Sequence, residues 1–177
     1  NITISQKDVG SINKKDAEGY DTVIHLAAIS NDPSALLNSK ITWETNVLST
    51  LHLLEICKKV KIKKFIFASS GSVYGLSNKP KVDENTELVP ISDYNKTKMV
   101  GEKLVNNYSK SFKTIILRPG TICGFSDSLR LDLTVNAMTF TALKKKKIFV
   151  DGGSQIRPQV HIKDMLSVYD FFIKKSL

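Results

Sequence analysis

The sequence predicts an α/β fold: an open parallel sheet with helices on both faces, followed by the start of a smaller region. Three observations predict it. Short apolar runs alternate with longer segments of helical period through the first two-thirds of the 177 residues. Each run stops at small or turn-forming residues: Ala27-Ala28, Ser69-Ser70 and Pro119-Gly120. Hydrophobic residues make up 41% and charged residues 24%, a balance that supports a packed core.

The elements follow in order. Residues 20–28 are a buried strand that ends in a tight loop. Asn31-Asp-Pro33 marks a turn or helix start. Over 41–59, Trp43, Val47, Leu51 and Leu54, with Val60 beyond, recur close to helical period. Residues 64–69 are a second buried strand. A loop over 70–93 carries Tyr74-Gly75, Pro80 and Pro90. Residues 94–109 read as a helix with Met99, Val100, Leu104 and Val105 on one side. Residues 113–118 are a third strand, stopped by Pro119. Strand, helix, strand, helix, strand is the order of a parallel sheet built by crossovers.

Beyond Gly124 the pattern changes. Residues 129–143 read as a helix, 148–150 as a short strand and Asp151-Gly-Gly153 as a turn. Residues 160–162 are extended, and 164–175 form a last amphipathic helix. The expected division is 1–123, holding most of the sheet, and 124–177, a partial second region. In open parallel sheets ligands lie beyond the carboxyl ends of the strands. The three strand ends named above are expected to line one crevice.

Net charge is +9, yet only three of the 26 basic residues are arginine: Arg118, Arg130 and Arg157. The lysines are scattered, with no aromatic residues interleaved as a stacking platform. This is a solvated surface rather than a nucleic-acid footprint, and it suits a polyanionic small substrate. Cys57 and Cys123 match no metal spacing and make no disulfide framework; reduced thiols of a cytoplasmic protein are expected. No apolar run approaches the ~18–20 residues of a membrane span. The N-terminus shows no secretory signal.

Tyr94-Asn-Lys-Thr-Lys98 opens the second long helix. Positions i and i+4 share a helix face, so Tyr94 and Lys98 can address one ligand. A tyrosine pKa lies near 10; lowering it by ~3 units needs about 4 kcal/mol of preference for phenolate. One positive charge ~4 Å away supplies about that much at an effective dielectric of ~20. Tyr94 is then competent as a general acid/base. A hydroxyl such as Ser70 would stabilise the phenolate and polarise a substrate. On spacing alone the signal is weak, and an exposed surface pair is the commoner outcome.

The sequence resembles the extended short-chain dehydrogenase/reductases, the nucleotide-sugar epimerase/dehydratase family. Phe65-Ile-Phe-Ala-Ser-Ser-Gly-Ser-Val-Tyr-Gly75, Tyr94-Asn-Lys-Thr-Lys98 and Leu117-Arg-Pro-Gly-Thr-Ile-Cys-Gly124 carry the likeness in content, order and spacing. His25-Leu-Ala-Ala28, Thr45-Asn-Val-Leu-Ser-Thr-Leu51 and Asp151-Gly-Gly-Ser-Gln-Ile-Arg-Pro-Gln-Val-His161 extend it. The resemblance implies a Rossmann-type doubly wound sheet and part of a small substrate domain. It implies NAD as cofactor, with NADP not excluded, and a nucleotide sugar as substrate. The implied catalytic set is Ser70, Tyr94, Lys98 and Asn46. Ala27, Ala28, Ser69, Tyr94, Lys98 and Pro119 would meet the cofactor. Ser70, Ser72, Arg130, Asn136 and Arg157 would meet the substrate, the arginines through its diphosphate. His25 and His161 are expected to be structural, and His52 has no role. The resemblance also implies a homodimer on the helices around Trp43 and Met99, which core packing explains equally well.

Two departures stand out. No Gly-x-x-Gly-x-x-Gly loop is present to bring backbone to a pyrophosphate, nor the acidic ribose-binding residue that follows it in the family. The expected chain is therefore truncated at both ends, with weak or absent NAD binding on its own. In the family's dehydratases a glutamate, often after an aspartate, precedes Val/Leu-Tyr-Gly; here Gly71-Ser72 stand there. Epimerisation is favoured over elimination. A reductase or decarboxylase on the same scaffold, a non-catalytic binding module, and a binder of anionic polymers are the rivals.

Overall fold

The computed structural model describes residues 2–77 and 81–175. Pro80, one of the loop prolines, lies outside them. The chain divides after Arg118 into two compact units.

The first unit is built on β1 (Thr22–His25), β2 (Lys64–Ala68) and β3 (Lys113–Leu117), all parallel and in the spatial order β1-β2-β3. Val23 pairs with Phe65 and Phe65 with Thr114; His25 pairs with Phe67 and Phe67 with Ile116. The β-branched and aromatic residues of these runs suit a pleated, covered surface. β2 has neighbours on both edges, and Phe65 and Ile66 are fully buried.

The helices before β3 are α1 (Lys14–Ala17), α2 (Asp32–Leu37), α3 (Ser39–Trp43), α4 (Ser49–Val60) and α5 (Asp93–Asn107). The helix start at Asn31-Asp-Pro33 is present: the Asn31 side chain accepts from the Ser34 amide at 2.7 Å, and Pro33 lies in the first turn. A π-helical turn, Glu44–Leu48, joins α3 to α4 without a break. α4 ends at Lys61, whose left-handed backbone (φ 58°) closes the last carbonyls. Ser92 caps α5.

Leu53, Leu54 and Cys57 of α4, Val105 of α5, and Phe65 and Phe67 of β2 form the core with Ile62 and Phe112. Each such side chain contributes roughly 1.5–3 kcal/mol on burial. Both crossover helices therefore cover the Phe65/Phe67 face. Two successive crossovers of one hand, advancing in one direction, end on the same side of a sheet. Ile24, Ile66 and Ile115 form a paired row on the other face.

The expected helix faces are only partly those observed. The buried stripe from α3 to α4 begins with Thr42, Asn46 and Thr50, while Trp43 and Val47 are half-buried and Leu51 is exposed. On α5 the buried residues are Asn95, Thr97, Lys98, Gly101, Glu102 and Val105. Met99, Val100 and Leu104 are half-buried.

The second unit pairs β4 (Thr121–Cys123) with β5 (Gln159–His161) in parallel, Ile122 opposite Val160. It adds α6 (Thr134–Lys145) and α7 (Ile162–Lys174). Residues 129–133 do not join α6: Arg130 turns to Asp132 in this stretch, and α6 starts after Leu133 with no side-chain cap. Residues 148–150 form no strand. They have no ladder partner among the described residues and lie open to solvent, and β-propensity without a partner makes no sheet. No described helix is long and apolar enough to cross a membrane.

Candidate active site

α5 carries the central pair. The Lys98 side chain is buried and its Nζ donates to the Ala68 carbonyl at 2.7 Å. That carbonyl is the last of β2, so the lysine is held at the carboxyl end of the sheet. Nζ lies 6.0 Å from the Tyr94 ring centroid and 5.1 Å from that of Phe67. Burial lowers its pKa to about 8. A concentrated positive charge thus stands beside the Tyr94 ring, as the i, i+4 spacing requires.

Ser70 is the second residue after β2. Its hydroxyl caps a 3-10 turn, Gly71–Tyr74, accepting from the Ser72 amide at 3.2 Å and pairing with the Ser72 hydroxyl at 2.8 Å. α5 packs on this turn. Gly75 closes it at φ 65°, where a Cβ would stand 2.0 Å from the Val89 carbonyl oxygen. Only glycine fits there. Ala27 is exposed and Ala28 half-buried; both follow β1, at the same end of the sheet as Ser69 and Ser70.

Asn46 lies in the π-helical turn, a distortion frequent at functional sites. Its carboxamide is fully engaged. Oδ1 accepts from the Ile29 amide at 2.8 Å, while Nδ2 donates to the Ile29 carbonyl at 3.1 Å and to Thr97 Oγ1 at 3.0 Å. Thr97 precedes Lys98, so Asn46 ties the loop after β1 to the helix bearing Tyr94.

Ser69 is buried and belongs to a cluster that sequence reasoning did not single out. Its hydroxyl donates to Glu102 Oε1. Glu102 is also held by Arg118, from Nε at 2.9 Å and from the terminal nitrogen at 2.6 Å. The other guanidinium nitrogen donates to the Tyr74 hydroxyl at 2.9 Å and to the Glu84 carbonyl at 3.3 Å. Glu102 and Tyr74 raise the Arg118 pKa further above its ordinary value. The signal for Glu102 was present: it stands four residues after Lys98, which stands four after Tyr94.

The remaining candidates lie in the second unit, which Pro119 opens. Arg130 makes a forked pair with Asp132 at 3.1 and 2.6 Å. The Arg130 guanidinium holds the Asp132 carboxyl below its usual range. Asn136 Oδ1 accepts from the Gly124 amide at 3.1 Å, and its Nδ2 donates to the Arg130 carbonyl at 3.0 Å. Asn136 thereby fixes the backbone of Arg130 against the turn after β4. Arg157 is exposed.

The histidines have structural partners. His25 Nε2 lies 2.8 Å from Thr50 Oγ1, and burial lowers its pKa to about 4. His161 caps α7, and His52 meets the Ile12 carbonyl at 2.7 Å.

Residues 3–176 match the NAD dependent epimerase/dehydratase family. The chain belongs to this family. It is 38% identical over 151 residues to the uncharacterised UDP-glucose epimerase YtcB of Bacillus subtilis, covering 83% of this chain and 47% of that protein. It is 32% identical over 176 residues to dTDP-D-glucose 4,6-dehydratase of Dictyostelium discoideum, covering 90% and 39% respectively. Among solved structures, UDP-glucuronic acid 4-epimerase from Bacillus cereus, in complex with UDP-glucuronic acid and NAD, superposes with a TM-score of 0.82 at 28% identity. That match covers 97% of this chain and 55% of the other. The chain thus spans about half the length of its relatives, or less.

Proposed function

We propose that this chain carries the catalytic residues of an enzyme that epimerises a nucleotide sugar with NAD as cofactor. The observation that carries the reading is the buried Lys98, held at the end of β2 beside Tyr94 on the same face of α5. Family membership and the nucleotide-sugar enzymes among its relatives support it.

The residues present fit one end of the cofactor. Lys98 and Tyr94 offer a cation and a phenol at the sheet end where a nicotinamide ribose would lie, and Ala27 and Ala28 supply short side chains beside it. The pyrophosphate has no glycine-rich cradle in these 177 residues. The chemistry that NAD would supply when bound is reversible hydride transfer at a sugar carbon. The protein's part is proton transfer and orientation. Tyr94 Oη takes the proton of the sugar hydroxyl and gives it back, with the Lys98 ammonium stabilising the phenolate. Ser70 Oγ donates to the same sugar oxygen as it gains carbonyl character. Ser72, paired with Ser70, keeps that hydroxyl oriented.

Arg130 and Arg157 are assigned to the diphosphate, with Asn136 as the support of Arg130. The exposed Arg130–Asp132 pair opens at little cost, ~1 kcal/mol or less. Gly71 and Ser72 place no carboxylate on the turn after Ser70, which favours epimerisation over elimination.

The test is a titration of the chain with NAD, followed by Trp43 fluorescence, and then incubation with UDP-glucose and NAD under product analysis. We expect weak saturable NAD binding and an epimer formed without accumulation of NADH. Tyr94→Phe is expected to lower the rate about a hundredfold or more. Accumulating NADH would favour a reductase or decarboxylase, and a deoxy-keto sugar a dehydratase. No binding at millimolar NAD and no conversion would sink the catalytic reading and leave a binding module.

A further inference from the structure

We propose that Glu102 and Arg118 are positioning residues that clamp the turn bearing Ser70 at both its ends. The inference rests on the role given to Ser70 above.

Tyr94, Lys98 and Glu102 occupy successive turns of one face of α5. Two of them grip successive residues of the chain leaving β2: Lys98 takes the carbonyl of Ala68, and Glu102 takes the hydroxyl of Ser69. The next residue is Ser70. Its distance from Tyr94 is therefore set by two contacts made from the helix that bears Tyr94 itself. The same carboxylate holds Arg118 by two parallel bonds, the fork geometry that fixes direction as well as distance. The other terminal nitrogen of that guanidinium holds the Tyr74 hydroxyl, and its central carbon lies 5.1 Å from the Tyr74 ring centroid. Tyr74 is the last residue of the 3-10 turn that Ser70 caps. One ion pair thus ties the entry of the turn, through Ser69, to its exit, through Tyr74. The Ser69 amide adds a bond to the Leu117 carbonyl at 2.8 Å, next to Arg118.

Stability alone does not account for this pair. The Glu102 side chain is 4% exposed and that of Arg118 20%. Burying two charges costs about as much as their attraction returns, so such pairs are better explained by fixing one geometry.

Hydrogen exchange of the whole chain, read by mass spectrometry without substrate, tests the clamp. The Val73 and Gly75 amides, bonded to the Ser70 and Ser72 carbonyls, report on the turn. In Glu102→Gln they are expected to exchange about tenfold faster or more, while the amides of β2 stay within about twofold of the parent. Arg118→Lys keeps the charge but loses the fork, and is expected to behave likewise. Unchanged protection of Val73 and Gly75 would overturn the clamp, as would an equal loss in turn and strand. Protection retained in Arg118→Lys would show that charge suffices and overturn it too. If Glu102→Gln loses its far-ultraviolet helix signal, Ser69→Ala is read on the same amides by the same criteria. The readout needs no turnover. An inactive chain whose turn responds as expected sinks only the enzymatic reading; an active chain whose turn does not respond sinks only the clamp.

Discussion

Lys98 is a cation kept out of water, and its energetics follow from that. Its pKa is near 10.5 in the unfolded chain and about 8 in the folded one. Between those values the unfolded state binds more protons, so stability rises as pH climbs from about 8 to about 10.5. Below that window the charged side chain costs the fold on the order of 3 kcal/mol. Lys98→Met removes this cost but orphans the Ala68 carbonyl, at ~1 kcal/mol. The variant is expected to be the more stable at neutral pH and to lack the alkaline rise. Urea unfolding at pH 7 and pH 10 measures both, and parallel pH dependence in the two proteins would refute the assignment. Tyr94 and Lys98 were legible because their spacing is a property of one helix. The place of Ser70 just past β2 was legible from the end of the apolar run. Glu102 shares the i, i+4 spacing of Tyr94 and Lys98, but in the sequence it reads as one more acid on a helix among 17 acidic residues. Its partners Ser69 and Arg118 reach it only when β2 and β3 pair.

The helices show why periodicity located elements but misjudged faces. A hydrophobic stripe marks the buried side only where the partner is a core. α5 and the helix from Ser39 to Val60 turn polar residues toward each other and toward the sheet end, and satisfy them with hydrogen bonds. Gly101 shows what this packing demands. A Cβ there would stand 2.6 Å from the Phe67 ring tip, and that ring is buried. Alanine would gain ~1 kcal/mol of intrinsic helix preference. Overpacking against an immobile ring costs about 1–3 kcal/mol. Gly101→Ala is therefore expected to lower the melting temperature followed by circular dichroism, although alanine is the better helix former. An unchanged or higher melting temperature would mean the ring yields. The strand expected at 148–150 failed for a different reason, because a strand is a relation between two segments and no described segment pairs with it.

Across the whole molecule, burial is uneven. The first unit holds the cluster of Leu53, Leu54, Cys57, Phe65, Phe67 and Val105. Among the described residues after Arg118, Met165 alone is buried. Local opening free energies scale with such contacts. Amides of β2 and α4 are expected to exchange only through the slowest openings of the chain, and those of β4 and α6 orders of magnitude faster. Equal protection in both units, measured by native-state hydrogen exchange, would contradict this. The change of pattern near Gly124 set the expected division there, whereas the chain divides after Arg118. Which residues carry the stability was not, because apolar residues are as frequent in the second unit as in the first.

The grip of Asn46 on Ile29 imitates a rung of a β-ladder: one carboxamide offers an acceptor to the amide and a donor to the carbonyl of the same residue. A helix side chain thereby does the work of a neighbouring strand where the sheet has ended. Aspartate would turn an oxygen toward a carbonyl, leucine of like shape would offer nothing, and glutamine would overreach by one methylene. Position 46 has in effect a vocabulary of one letter, written by the backbone of a residue seventeen places away.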